Sequence, residues 1–138
     1  MATAQNFRKL LLVDDEKADL RLLERCFAKS APKIVVQSCQ GSEKAVEKIA
    51  DSGADIVLLD INMPGLNGFD VLRRARGARP GNFPTVIMLS TSENPEDIRR
   101  SYKEGASAYI VKPNSMSGYT ELAKSVSNFW GSLVARPT

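Results

Sequence analysis

Short apolar runs alternate with stretches of helical periodicity along this chain, and that alternation narrows the choice of fold more than any other feature. Strand-like runs fall at Lys9 to Val13, Ile34 to Gln37, Ile56 to Leu59, Thr85 to Leu89 and Tyr109 to Val111. The first helix should bury Leu20, Leu23 and Phe27, and the second should bury Ala45, Val46, Ile49 and Ala50, with Ser42 as its expected N-cap. The third spans Gly68 to Ala75, the fourth opens at Pro95 after an Asn94 cap and stops at Gly105, and the last runs from about Ser117 to Val134. Strict strand–helix alternation implies an α/β fold with a doubly wound parallel sheet and right-handed crossovers. Because Ile56 to Leu59 shows no polar alternation, that strand is expected to be covered on both faces. A chain of 138 residues, 43% apolar, suffices for one such domain, expected over residues 7–135 without an attached output module.

Three of the strand-like runs end in charge. Leu10 to Val13 runs into Asp14-Asp15, Ile56 to Leu59 into Asp60, and Tyr109 to Val111 into Lys112-Pro113. In an open parallel sheet such carboxyl ends face one crevice, so three carboxylates and one ammonium should converge. Of the carboxylates, Asp60 is expected to be the one that closes an uninterrupted buried strand. Three carboxylates in one crevice repel, and without a cation at least one is driven toward protonation. Mg2+ suits an all-oxygen site and keeps positions free for a phosphoryl oxygen. Phosphoryl transfer to a carboxylate needs charge neutralisation and in-line positioning, which a metal and Lys112 would supply. Plainer readings stand beside these: Asp60 as a turn cap, Asp14-Asp15 as an N-cap for the helix near Lys17, and Lys112 as a solvated cation.

Composition excludes other classes. The net charge is +3, but the 19 cations are dispersed and no basic run exceeds two residues, which argues against nucleic acid as a partner. Two cysteines do not make a disulfide scaffold, and no apolar stretch reaches membrane-spanning length, so no membrane association is expected. Without a signal-peptide pattern the expected compartment is the cytoplasm. The absence of histidine excludes a His-based zinc site and a phosphohistidine carrier. The glycines from Gly65 to Gly68 lack the spacing of a phosphate-binding loop, and Asp14-Asp15 would repel the phosphate of a flavin.

Leu10 to Asp15, Asp60-Ile61-Asn62-Met63-Pro64-Gly65, Ser90 and Lys112-Pro113, in that order, resemble the receiver-domain signature of response regulators. Lys17-Ala18-Asp19, Leu89-Ser90-Thr91-Ser92 and Phe129-Trp130 are similar to the small single-domain regulators that partner bacterial phytochromes. The resemblance implies a flavodoxin-like (βα)5 fold with strand order 2-1-3-4-5 and phosphorylation of Asp60 by a sensor histidine kinase, for which a bacterial phytochrome is a candidate. It implies direct Mg2+ coordination by Asp15 and Asp60, a backbone carbonyl from Asn62, and Asp14 acting through bound water. Ser90 takes the place of the switch hydroxyl and Tyr109 that of the switch aromatic, whose plainer reading is a half-buried ring with its hydroxyl in water. Lys112-Pro113 matches a cis-peptide position that would turn the ammonium into the crevice.

Two departures from the commoner pattern stand out. Asn114-Ser115 follows Lys112-Pro113 where many receivers place phenylalanine, which should weaken packing between the last strand and helix. The stripe of Leu122, Val126, Phe129 and Leu133, with Trp130 and Val134 beside it, is broader than one sheet face needs. That excess suggests a homodimer across the face built from the fourth helix, last strand and last helix. The chain is expected to act as a phosphorylatable switch and to catalyse only its own phosphorylation and slow dephosphorylation. The alternatives are a binding or dimerisation module indifferent to phosphorylation, and an aspartate-nucleophile phosphatase, for which no general acid or covering insertion is present.

Overall fold

Ten elements alternate along the chain in the computed structural model, which describes residues 8–78, 81 and 83–129. They are β1 (Lys9–Asp14), α1 (Lys17–Ser30), β2 (Val35–Gln40), α2 (Ala45–Asp51), β3 (Ile56–Leu59), α3 (Gly68–Ala78), β4 (Thr85–Ser90), α4 (Pro95–Lys103), β5 (Ala108–Val111) and α5 (Met116–Asn128). The strands form one parallel sheet in the order β2-β1-β3-β4-β5. This is the doubly wound α/β architecture the alternation implies.

Side-chain alternation divides the core into two layers. Leu11, Val13, Val57, Leu59, Val86 and Met88 point to the side covered by α2 and α3, where they meet Ala45, Ile49, Phe69, Leu72 and Ala75. Leu10, Leu12, Ile56, Leu58, Ile87 and Leu89 point the other way, against Leu20, Leu23 and Phe27 of α1 and Leu122 and Val126 of α5. Every residue of β3 is buried, as an all-apolar central strand requires. Truncating a fully buried aromatic such as Phe27 to alanine costs about 3–5 kcal/mol.

Several local expectations are corrected. β2 runs to Gln40 because it is an edge strand that keeps polar Gln37, Ser38 and Gln40 in the ladder, and Ile34 lies before it. Lys44, not Ser42, is the N-cap residue of α2, and Glu16, not Asp14 or Asp15, is that of α1; neither gives a side-chain cap bond. Asn94 does cap α4, accepting from the Glu96 backbone N–H, with Pro95 in the first turn. The polar departure after Pro113 has a local use, since Ser115 caps α5 by accepting from Gly118 N–H at 3.1 Å. On α5, Leu122 and Val126 are buried and Phe129 is half exposed; Trp130, Leu133 and Val134 lie outside the described residues. No helix among the described residues is long and apolar enough to cross a membrane.

The helix α4 differs from the other four because its only fully buried residue is a serine, Ser101. Ser101 Oγ is satisfied within the helix by the Asp97 carbonyl at 2.7 Å, and polar ties reach outward: Ser92 Oγ donates to Asp97 Oδ2 at 2.6 Å, and Arg73 of α3 reaches Glu104 at 3.1 Å. The Arg100 guanidinium also lies 4.3 Å from the centre of the Phe69 ring.

Candidate functional site

The carboxyl ends of β1, β3, β4 and β5 bring the expected residues to one edge of the sheet. Asp14 is the last residue of β1, and Asp60 follows β3 directly, its N–H donating to the Val13 carbonyl at 2.9 Å so that the ladder continues through it. Lys112 follows β5, with its N–H on the Ser90 carbonyl at 2.8 Å. Asp14 and Asp60 are both buried and Asp15 is half-buried. The expectation that Asp60 alone closes a buried strand is therefore too narrow, because Asp14 does so as well.

One carboxylate oxygen from each of Asp14, Asp15 and Asp60 falls within 4.8 Å of the other two. Among the described residues this is the one acidic, cysteine or histidine group so arranged. Three oxygens at that spacing suit a hard, oxygen-seeking cation such as Mg2+, and no soft ligand intrudes. The electrostatics agree: burial first, and then the charges of Asp14 and Asp15, push the Asp60 carboxyl up to about 7, against the pull of Lys112 and of the Asn62 backbone N–H. Asn62 itself lies in the exposed turn after β3.

The Lys112 ammonium is buried and lies 2.8 Å from Asp14 Oδ2, 3.0 Å from Asp19 Oδ2 and 3.8 Å from Asp60 Oδ2. Burial alone would lower its pKa, but hydrogen bonds to Asp14 and Asp19 and the charges of Asp14 and Asp60 outweigh that and raise it. The solvated-cation reading is excluded. The bond at Lys112-Pro113, a cis position by resemblance whose isomer the sequence leaves open, is trans, since no cis peptide occurs among the described residues. Lys112 reaches the crevice through a trans bond because the β5 ladder continues through its own N–H.

Beside these groups, Ser90 is fully buried and its Oγ accepts from Ser92 N–H at 3.2 Å, whereas Thr91 is exposed. Tyr109 is half-buried, and its hydroxyl donates to the Ser92 carbonyl at 2.8 Å rather than pointing into water. Ser92 thus touches Ser90, Tyr109 and Asp97 at once.

Two supporting residues have roles that the sequence concealed. Ser42 Oγ donates to the Pro64 carbonyl at 2.7 Å and accepts from Leu66 N–H at 3.1 Å, tying the loop before α2 to the loop that follows Asp60. Gly65 turns within that loop at φ +83°, close to Ser42. Asp19 is the second, and nothing local distinguishes it from an ordinary acid in the first turn of a helix.

Fold and site together define a class, the α/β domains that carry an acidic cluster and a buried lysine at the carboxyl edge of a parallel sheet. The response regulator receiver domain model matches residues 10–124, and the chain belongs to that family of two-component signalling domains. Receiver domains bind Mg2+ at an acidic pocket and are phosphorylated by histidine kinases. Among curated relatives, the sensory/regulatory protein RpfC of Xanthomonas campestris is 32% identical over 107 residues, 76% of this chain and 14% of that protein. The chain therefore spans about one seventh of that relative. Among solved structures, the phosphorylated cyanobacterial phytochrome response regulator RcpA is 29% identical with a TM-score of 0.81, covering 96% of this chain and 99% of that one. A response regulator in red light signaling of R. palustris is 33% identical with a TM-score of 0.81, covering 95% and 99%.

Proposed function

We propose that this protein is a phosphorylation-driven switch that takes a phosphoryl group from a sensor histidine kinase onto Asp60 and passes the signal through α4, β5 and α5. The observation that carries the reading is the surroundings of Asp60, with two further carboxylates within 4.8 Å and the Lys112 ammonium 3.8 Å away. In the transfer, a carboxylate oxygen of Asp60 forms the new P–O bond as the P–N bond of the phosphohistidine breaks. The departing imidazole nitrogen is protonated from solvent. Asp14, Asp15 and Asp60, with the Asn62 carbonyl, would hold Mg2+, which when bound supplies positive charge against the transferring oxygens.

Lys112 is the protein's own contribution to that neutralisation, since its ammonium stays charged in the buried crevice. The aspartyl phosphate adds almost two negative charges and three acceptor oxygens. Lys112 and the Ser90 hydroxyl gain partners that the bare carboxylate did not offer. Movement of Ser90 toward them disturbs its bond to Ser92, and with it the carbonyl that anchors Tyr109 and the hydroxyl that anchors Asp97 of α4. Half-exposed Phe129 and exposed Val111 and Met116 give the signalling face apolar surface for a partner or a second copy. The similarity to a phytochrome response regulator and to a red-light regulator favours a phytochrome-type kinase as the donor. On this reading the chain turns over no substrate other than its own phosphoryl group and acts in the cytoplasm.

Intact-mass measurement after incubation with Mg2+ and acetyl phosphate tests the proposal. One addition of about 80 Da, the mass of a single phosphoryl group, is expected, lost in Asp60→Asn and in chelator. Absence of that addition in the wild type, or its persistence in Asp60→Asn, would overturn the assignment.

A further inference from the structure

Lys112 does not rest on Asp60. Its two shorter ion pairs go to Asp14 at 2.8 Å and to Asp19 at 3.0 Å, while Asp60 Oδ2 is 3.8 Å away. The two nearer carboxylates are unlike in one respect: the Asp14 side chain is 3% exposed and that of Asp19 is 30% exposed. Asp14 also accepts from Glu16 N–H at 2.9 Å and is fixed within its strand, whereas Asp19 sits in the first turn of α1 and has water on one side. Tyr119 of α5 is buried near this group, its phenol raised first by burial and then by the charge of Asp19.

We propose that Asp19 is a positioning residue that competes with the phosphoryl group for Lys112, holding the ammonium on the α1 side of the crevice until an anion on Asp60 displaces it. The inference rests on the proposed phosphorylation of Asp60 and adds a restraint to it. An ammonium has three donors, and in this arrangement two are directed to carboxylates other than the phosphoacceptor. A phosphoryl oxygen must recruit Lys112 from one of them. Asp19 is the cheaper to release, because water can replace the lysine at its exposed carboxylate, whereas Asp14 is buried and would lose its charged partner, keeping the Glu16 N–H. A half-exposed ion pair contributes little to folding stability, yet it biases the position of a cation on which the phosphorylated state depends. Asp19 thereby sets how strongly the resting protein resists activation.

The test uses beryllofluoride as the phosphoryl mimic, added to the full chain in saturating Mg2+ and followed by amide chemical shifts. Asp19→Asn preserves the size of the side chain and removes its charge. It should bind beryllofluoride about fivefold more tightly than wild type, equivalent to about 1 kcal/mol. Asp19→Glu, which restores the charge, should return the affinity to within twofold of wild type. Glu16→Gln removes an equal charge from an exposed neighbour that does not touch Lys112, and should change affinity by less than twofold. A loss of helix stability in Asp19→Asn would not by itself tighten anion binding, so this readout separates competition from a purely structural role. Unchanged or weaker binding in Asp19→Asn, or an equal gain in Glu16→Gln, would overturn the proposal. Failure of the wild type to bind beryllofluoride would instead remove the phosphorylation reading beneath it.

Discussion

Asp60→Asn should stabilise the metal-free protein, and the gain should grow as the pH rises. In the folded chain the Asp60 carboxyl is pushed from 3.8 up to about 7, mainly by burial and by Asp14. A folded-state pKa above the unfolded value means that the folded protein holds the proton more tightly. The stability this provides is fully present below about pH 4 and is lost as the pH climbs toward 7. The rise of about three units, at ~1.4 kcal/mol each, sets a ceiling of ~4 kcal/mol on the cost of ionising Asp60 in the fold. Relaxation of the crevice and screening by entering water reduce that to an expected gain of ~1–3 kcal/mol for the neutral asparagine at pH 7.5. Urea unfolding in chelator at pH 4, 6 and 7.5 measures it: the two proteins should coincide at pH 4 and separate steadily above it. With Mg2+ at ten times its Kd the wild type should recover ~1.4 kcal/mol and the gap should narrow. A gap that does not vary with pH, or an asparagine variant less stable at pH 7.5 without metal, would refute the claim that the three carboxylates strain the fold.

Three other perturbations have defined outcomes. Gly68→Ala places a Cβ 2.4 Å from the Asp60 carbonyl oxygen and 2.9 Å from Ile61 Cα, so the overpacking should cost ~1–3 kcal/mol in urea unfolding despite alanine's better helix propensity. Ser42→Ala leaves the Pro64 carbonyl and Leu66 N–H without their shared partner and should cost ~1–2 kcal/mol, with faster hydrogen exchange at Leu66. Tyr109→Phe removes the donor to the Ser92 carbonyl; a loss of ~1 kcal/mol is expected, with faster exchange at Ser92 and Asn94, and unaltered exchange there would show that the bond does not order the loop.

How much of this was legible in the sequence depends on how local the cause is. The buried run from Ile56 to Leu59 carries no polar residue, so both its strand character and its central place could be read directly. Asp14, Asp15, Asp60 and Lys112 were legible for a similar reason: each ends an apolar run, and parallel topology gathers such ends. The edge strand β2 was harder, because Ser38 and Gln40 look like loop residues until a neighbouring strand pairs with them. Asp19 and Ser42 were hidden for another reason. Each looks like an ordinary helix-start residue, and what distinguishes it is a partner 93 residues away in one case and 22 to 24 in the other. The isomer of the Lys112-Pro113 bond was not legible in the sequence, and it is trans.

The polar mooring of α4 has a consequence for how readily it can be rehung. Sliding α1 or α3 requires exposing leucine and phenylalanine to water, a cost that scales with hydrocarbon area. Sliding α4 exposes no fully buried apolar side chain of its own, and the ties of Asp97 and Glu104 are polar ones that water can replace. Among the five helices, α4 is therefore the one whose displacement would bring the least fully buried hydrocarbon into water.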